Sequence, residues 1–202
     1  MPTVYGSARR APRRVRVQIC DSQITSYDEG MEVRLKPQDV VLALKLVAQG
    51  TTDWTQPELA RSLHISAGEV NHGLKRLAAC HLFNTRERRV VRASLQEFLV
   101  AGLRYVFPAE LGLVGQGMPT AFSVGPLAKK LRLGDEDVVV WASRGKASVR
   151  GRVIEPLCRT APLAAAEDPL LHEYLALADA LRVGRARERA LARDELARRL
   201  AS

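Results

Sequence analysis

The chain has 202 residues, of which 47% are hydrophobic and 26% charged, so it is expected to fold around one large core or two small ones. No apolar run approaches the roughly 18 residues that a membrane-spanning helix needs, which argues against an integral membrane protein. The net charge of +9 and the sequence pI of about 10.0 favour a polyanionic partner, either nucleic acid or an anionic membrane surface.

Residues 1–34 are predicted to form a basic N-terminal arm. Five arginines stand between positions 9 and 16, and no acidic residue precedes Asp21. No long apolar segment follows these arginines, so we expect no secretory signal and a cytoplasmic protein. The three cysteines, at positions 20, 80 and 158, are odd in number and widely spaced, which fits free thiols in a reducing compartment.

Helix starts are marked by proline and by capping residues. Pro37 suits the first turn of a helix that ends at Gly50, with valines and a leucine on one face. Three Ser/Thr-x-x-Glu pairs have the spacing of capping boxes. They predict helices near residues 56–63, 67–80 and 95–106.

The segment LFNTRERRVVRA, residues 82–93, predicts two strands joined by a charged turn, because β-branched Val90 and Val91 follow the charged run. Three helices followed by such a hairpin have the order of a winged helix. Residues 35–107 are therefore predicted to form a winged helix-turn-helix domain, and the fold class is predicted to be α+β and mainly helical.

Residues 108–202 are predicted to form an α+β and helical extension for interaction or dimerisation. Its first part, AELGLVGQGMPTAFSVGPL, is rich in glycine and is expected to be a loop. The segments VVVWAS and SVRGRVIEPL predict two strands, with RGKA as the turn between them. From Asp168 an apolar pattern of helical period predicts a helix that Gly184 ends or kinks, followed by a second, more charged helix.

The segment TQPELARSLHISAGEVNHGLKRL, residues 55–77, fits two short helices joined by a tight turn. Val70, Leu74 and Leu77 recur at i, i+4 and i+7, so they are expected to face inward. Residues 35 to about 92 resemble the winged helix-turn-helix domain of bacterial MarR-like transcriptional regulators, through the run ELARSLHISAGEVNHGLKRL. The turn position that this family usually gives to glycine is His64 here, which requires a positive φ at a histidine.

The resemblance implies that the second of these helices and the arginine-rich wing contact DNA. Asn71 suits an adenine edge, and Lys75 or Arg76 suits a guanine edge or a phosphate. His72 suits a phosphate contact, although a solvated surface histidine is the stronger alternative. The predicted DNA-binding residues are Ser66, Ala67, Asn71, His72, Lys75, Arg76, Arg86, Arg88 and Arg89.

No enzyme, cofactor or metal site is predicted. The run GLVGQGMPTAFS lacks the Lys-Ser/Thr of a phosphate-binding loop, and the cysteines and histidines have no zinc-site spacing. The predicted function is a sequence-specific transcriptional regulator that binds double-stranded DNA, with no membrane association. The alternative is an antitoxin whose C-terminal region neutralises a toxin protein; an RNA-binding protein is disfavoured because only 5% of residues are aromatic.

A homodimer is also expected, because two copies would double the contacts of a recognition helix that begins with Ala67 and Gly68. The expected dimer interface is the helix 168–183, which has more apolar residues than one face of a small core requires. The alternative is that the same residues pack under the strands of 138–157. The apolar residues concerned are Leu170, Leu171, Tyr174, Leu175 and Leu181.

Overall fold

The structure, a computed structural model, describes residues 34–50, 52–131, 134, 137–143 and 148–201. The predicted arm up to residue 33, Cys20 and the RGKA segment lie outside the described residues. The fold is α+β and mainly helical, as predicted. The described residues belong to one compact unit, so the boundary predicted at residue 107 falls inside that unit.

The first three helices form where capping residues and apolar periodicity place them. They are α1 (Pro37–Gln49), α2 (Gln56–Leu63) and α3 (Ala67–Ala79). Gly50 ends α1 in the left-handed conformation, with φ 68°. Thr55 and Glu58 form the predicted capping box at α2, since each side chain bonds the backbone N–H of the other. Ser66 caps α3, whereas the Glu69 carboxylate accepts a hydrogen bond from the Gln38 side chain of α1.

A short antiparallel hairpin follows, formed by β1 (Phe83–Asn84) and β2 (Arg89–Val90). The next helix was predicted to begin at a Ser94 cap, and this was wrong. It begins at Arg92, because the backbone N–H of Val91 still bonds Leu82 of the hairpin while the Val91 carbonyl accepts from Leu95. The helical stretch continues as α4 (Arg92–Glu97), a π-helical segment (Phe98–Gly102) and α5 (Leu103–Val106).

Three strands close into a small barrel. They are β3 (Val114–Pro119), β4 (Val139–Ala142) and β5 (Val149–Ile154); β3 is antiparallel to both others, and β4 pairs with β5 in parallel. The prediction of a loop over β3 was wrong, and its glycines have a packing reason. A Cβ on Gly117 would lie 2.0 Å from the Trp141 carbonyl oxygen, and one on Gly115 would lie 2.9 Å from the Val153 side chain. The parallel pairing also rules out a simple hairpin between β4 and β5.

Between β3 and β4 the chain forms a 3₁₀ turn (Ala121–Ser123) and α6 (Gly125–Lys130). Three helices complete the fold: α7 (Ala161–Glu167), α8 (Pro169–Val183) and α9 (Ala186–Leu200). The predicted break at Gly184 is confirmed, since Gly184 ends α8.

The helix α8 is the centre of the core, which contradicts its predicted role as a dimer interface. It packs against α1, α5, α7, α9 and the 3₁₀ turn. Four of the five apolar residues proposed for the interface are buried in the monomer, with Leu171 fully inaccessible and Tyr174 only 5% exposed; Leu170 alone remains 44% exposed. These apolar side chains are buried because α8 packs against several elements, including α1, the first helix of the chain.

A buried polar network ties α8 to the barrel. The Asp179 carboxylate accepts hydrogen bonds from the Trp141 indole (2.7 Å), the Thr120 hydroxyl (2.9 Å) and the Arg182 guanidinium (2.7 Å). Arg182 also donates to the backbone carbonyls of residues 107, 108 and 155. Burial raises the pKa of Asp179, while Arg182 and the two other donors favour its ionised form.

Candidate nucleic-acid interface

The helix α3 has two packed sides and one open side. Val70 and Leu77 are fully buried and Leu74 is 9% exposed, so the inward face predicted from the i, i+4, i+7 spacing is confirmed. The open side bears His72 and Lys75, both exposed, and Asn71, which is half-buried. Lys75 follows Asn71 by four positions and His72 by three, so the three residues share one side of the helix.

The prediction that Arg76 faces outward was wrong. Its side chain is 5% exposed and forms a bidentate salt bridge with Asp39 of α1, in which both N–O distances are 2.7 Å. The hydrogen bonds that Arg76 donates to the Asp39 carboxylate raise the pKa of Arg76, which keeps the guanidinium charged. A guanidinium held in this way is not available to a base edge.

The sequence provides for this contact through Asp39 and Gly73. Asp39 stands in the first turn of α1, where its carboxylate also accepts the backbone N–H of Lys36 at 2.8 Å. Gly73 lets α3 approach α1, because a Cβ there would lie 3.0 Å from Leu42 and 3.1 Å from the Asp39 carboxylate. An isolated acid in an apolar helix, together with a glycine one turn before an arginine, could have indicated the pair from the sequence.

The start of α3 is also open to solvent. Ser66 and Ala67 are exposed, and the Ser66 hydroxyl oxygen accepts the backbone N–H of Glu69 at 3.1 Å. The Ser66 hydroxyl hydrogen therefore remains able to donate to a phosphate oxygen. Just before it, His64 has the positive φ that the sequence predicted, 54°, and its ring lies 3.1 Å from the Glu167 carboxylate of α7. The turn between α2 and α3 is thus attached to the C-terminal part of the chain.

The arginines of the hairpin lie on a turn that a side chain holds in place. The Asn84 side chain accepts the backbone N–H groups of Arg86 (3.0 Å) and Glu87 (3.2 Å), which fixes the turn locally. Arg88 adopts a left-handed conformation with φ 54°. Arg86, Arg88 and Arg89 are all exposed, as predicted.

Arg88 has a contact that the sequence did not predict. Its guanidinium lies 4.4 Å from the centre of the Trp54 ring and donates to the Trp54 carbonyl oxygen at 2.5 Å. Trp54 is buried and packs on Phe83 of β1, with 6.3 Å between the ring centres. Because Trp54 directly precedes the Thr55 cap of α2, Arg88 joins the hairpin tip to the start of the helix pair.

No family model, curated protein or solved structure matches the chain. The function of the site is therefore inferred from the chemistry of its own residues.

Sequence reasoning missed Arg92 as part of the basic surface. A shallow pocket of about 270 Å³ at the C-terminal end of α1 is lined by Arg88, Arg89 and Arg92 together with Gly50. Arg92 was overlooked because the helix was expected to begin later, near residue 95. The carbonyl end of α1 and three arginines lie together here, which is a favourable arrangement for the arginines.

Metal binding, membrane insertion and thiol chemistry have less support in the described residues. Within ranges 34–50, 52–131 and 137–201, apart from the gap at 144–147, no three His, Cys, Asp or Glu side chains group in a way that could hold a metal ion. Every helix in the described part of the chain is too short or too polar to span a bilayer. Cys80 and Cys158 are free thiols, and burial raises the pKa of Cys80, so its thiolate is disfavoured.

Proposed function

We propose that the protein is a sequence-specific DNA-binding transcriptional regulator of the winged helix-turn-helix type. In this proposal α2 and α3 are the helix-turn-helix, α3 is the recognition helix and the β1–β2 hairpin is the wing. The proposal is supported by the order of these elements and by the resemblance of residues 35–92 to MarR-like regulators.

The observation that carries the proposal is the open side of α3. The rest of this helix is packed against α1 and α2, so only the side with Asn71, His72 and Lys75 is free to meet a partner. The major groove, about 12 Å wide, admits one α-helix. An asparagine can bond both adenine edge atoms, and a lysine can reach a guanine or a phosphate, so these residues provide base contacts without Arg76.

The wing supplies the backbone contacts. Arg86 and Arg89 are exposed, and neither has a charged partner among the described residues. Contacts to phosphates position a protein on duplex DNA and provide affinity that does not depend on sequence. The net charge of +9 adds long-range attraction to the same partner.

The test is a salt titration on a preferred duplex selected from a random pool, followed by fluorescence anisotropy. We expect log affinity to fall with log salt by about 0.9 for each phosphate neutralised. Arg89→Gln should lower that slope by about one, whereas Asn71→Ala should cost about 1–3 kcal/mol and relax the base preference without changing the slope.

Arg159→Gln is the matched control, because it removes one exposed arginine from the segment before α7 and should leave both quantities unchanged. Binding that is absent at low salt, or independent of salt, would contradict the proposal. Equal, sequence-blind losses for Asn71→Ala and Arg89→Gln would mean that α3 binds DNA without specifying its sequence.

An antitoxin is the alternative function, and a homodimer is the expected assembly. The stretch 108–181 is longer than DNA binding needs, which favours an antitoxin, but most of that length supplies the barrel and α8 to the common core. Its size alone therefore gives no reason to expect a toxin. A homodimer, if formed, requires a surface other than the buried face of α8, and light scattering would establish the oligomeric state.

A further inference from the structure

A groove with a distinctive lining runs between the helical stretch 92–106 and α9. Its volume is about 480 Å³. One part of the lining is apolar, with Leu181 of α8 almost completely buried at its base. The other apolar residues are Val100, Ala101, Ala186 and Ala190. The remaining lining consists of Arg104, Tyr105, Arg189 and Arg193.

The groove has an excess of positive charge. Among the described residues that line it, three are arginines and none is acidic. Arg193 contacts Asp194 of its own helix at 3.0 Å, but both side chains are more than half exposed, so this pair is weak. Arg198 and Arg199, further along α9, are instead paired with an acid, because both donate to the Glu195 carboxylate. Their hydrogen bonds, with that of Arg198 the larger contribution, lower the pKa of Glu195 to about 2.

An exposed aromatic ring stands beside these arginines. Tyr105 is 76% exposed, and the Arg104 guanidinium lies 5.4 Å from the centre of its ring. Tyrosine and arginine are enriched among the residues that carry most of the energy in protein interfaces. Tyr105 therefore adds an exposed ring of this kind to the lining of the partly apolar groove.

We infer that this groove binds an acidic, amphipathic segment of a partner protein. The carboxylates of that segment meet the three arginines, and its apolar side chains cover the apolar lining, as when a helix lies in a groove. A nucleic-acid backbone would satisfy the arginines but leave the apolar lining uncovered. A second copy of this chain is disfavoured by a net charge of +9. The inference does not depend on DNA binding by α3.

The experiment uses two labelled synthetic peptides and the full-length protein. The first peptide carries leucines at helical spacing with glutamates at the other positions, and the second has glutamine in place of every glutamate. By fluorescence anisotropy at moderate salt, we expect the acidic peptide to bind at least about tenfold more tightly than the neutral one. The variant Arg104→Gln/Arg189→Gln should abolish most of that difference, and Tyr105→Ser should weaken binding of both peptides.

The matched control is Arg159→Gln/Arg187→Gln, which removes the same charge from exposed arginines that do not line the groove. It should change the affinity by no more than about twofold. Thermal unfolding verifies that all variants are folded, and Tyr105→Ser gives a second approach that leaves the charge unchanged.

Three results would overturn the inference. One is equal affinity for the acidic and neutral peptides, or no binding of either. Another is an equal loss with the groove and control variants, which would indicate only general attraction. The last is a groove variant that loses duplex DNA or self-association while peptide binding is absent or unchanged, which would assign the groove to nucleic acid or to a second copy.

Discussion

The N-terminal region, residues 34–91, and the C-terminal region, residues 108–201, each contain a buried arginine–aspartate pair, and the two pairs have different roles. Asp39 and Arg76 are 37 positions apart and join two helices. Asp179 and Arg182 lie on one helix, but each also bonds other segments. Asp179 accepts hydrogen bonds from Trp141 of β4 and from Thr120, which directly precedes the 3₁₀ turn. Arg182 donates to three backbone carbonyls.

This difference shows how one kind of interaction can serve two purposes. In the N-terminal region the pair joins α1 to α3 and leaves the side of α3 with Asn71, His72 and Lys75 free. In the C-terminal region the pair connects segments that are remote in the chain. A buried pair is costly to break because removing one partner leaves the other charge uncompensated.

The largest effect is expected from Asp179→Ala. The change leaves the Arg182 charge, the Trp141 indole N–H and the Thr120 hydroxyl without their common acceptor. The free energy of unfolding should fall by about 3–5 kcal/mol, measured by urea unfolding followed by circular dichroism. Asp194→Asn, at a carboxylate that is 66% exposed, is the control and should change stability by less than about 1 kcal/mol. A loss from Asp179→Ala no larger than that of the control would mean that the network does not hold the core.

A smaller loss, about 3 kcal/mol, is expected from Arg76→Ala, because Asp39 keeps its bond from the Lys36 backbone when the guanidinium is removed. The double variant Asp39→Leu/Arg76→Met should recover most of the stability, since apolar residues of similar volume often replace a buried pair without loss. Urea unfolding measures both. If Arg76 has no contact with bases, the double variant should also retain the base preference of the wild type on the selected duplex. A changed base preference would mean that Arg76 does contact DNA.

The smallest effect on stability is expected from Arg88→Gln, in the wing of the N-terminal region. Loss of the contact with the Trp54 ring should cost about 1 kcal/mol of stability. Because Arg88 joins the wing to the start of α2, DNA affinity should fall while the salt slope stays near that of the wild type. A slope lower by about one, as for Arg89→Gln, would instead make Arg88 a phosphate contact. Arg88→Lys, which keeps the charge, distinguishes loss of geometry from loss of charge.

The sequence predicted those elements whose formation is decided locally. The helices α1, α2 and α3 have proline, capping residues and apolar periodicity that agree with one another, and all three were placed within one residue of their ends. The strand β3 was missed because its glycines, which usually mark loops, are required by contacts with β4 and β5 that are remote in sequence. The start of α4 was missed because hydrogen bonds of the hairpin overrode the Ser94 cap.

The candidate site was predictable to a similar extent. Helical periodicity placed Asn71, His72 and Lys75 on the open side of α3, because Val70 and Leu77 define the packed side. It failed for Arg76, since an arginine at the border of the two sides can turn either way and only Asp39 on another helix decides which. The contact of Arg88 with Trp54 joins residues 34 positions apart, a distance over which no periodic pattern extends.

The placement of the two tryptophans makes the protein its own fluorescent reporter. The chain has two tryptophans, and both are buried: Trp54 lies beneath the cation of Arg88, and Trp141 donates its N–H to Asp179. Each indole therefore emits from a different charged environment, one in each region. With Trp54→Phe and Trp141→Phe, emission from the remaining ring would follow one region at a time through a denaturant titration. Since α8 packs directly on α1, the two emission curves should have the same midpoint, as in a single cooperative transition.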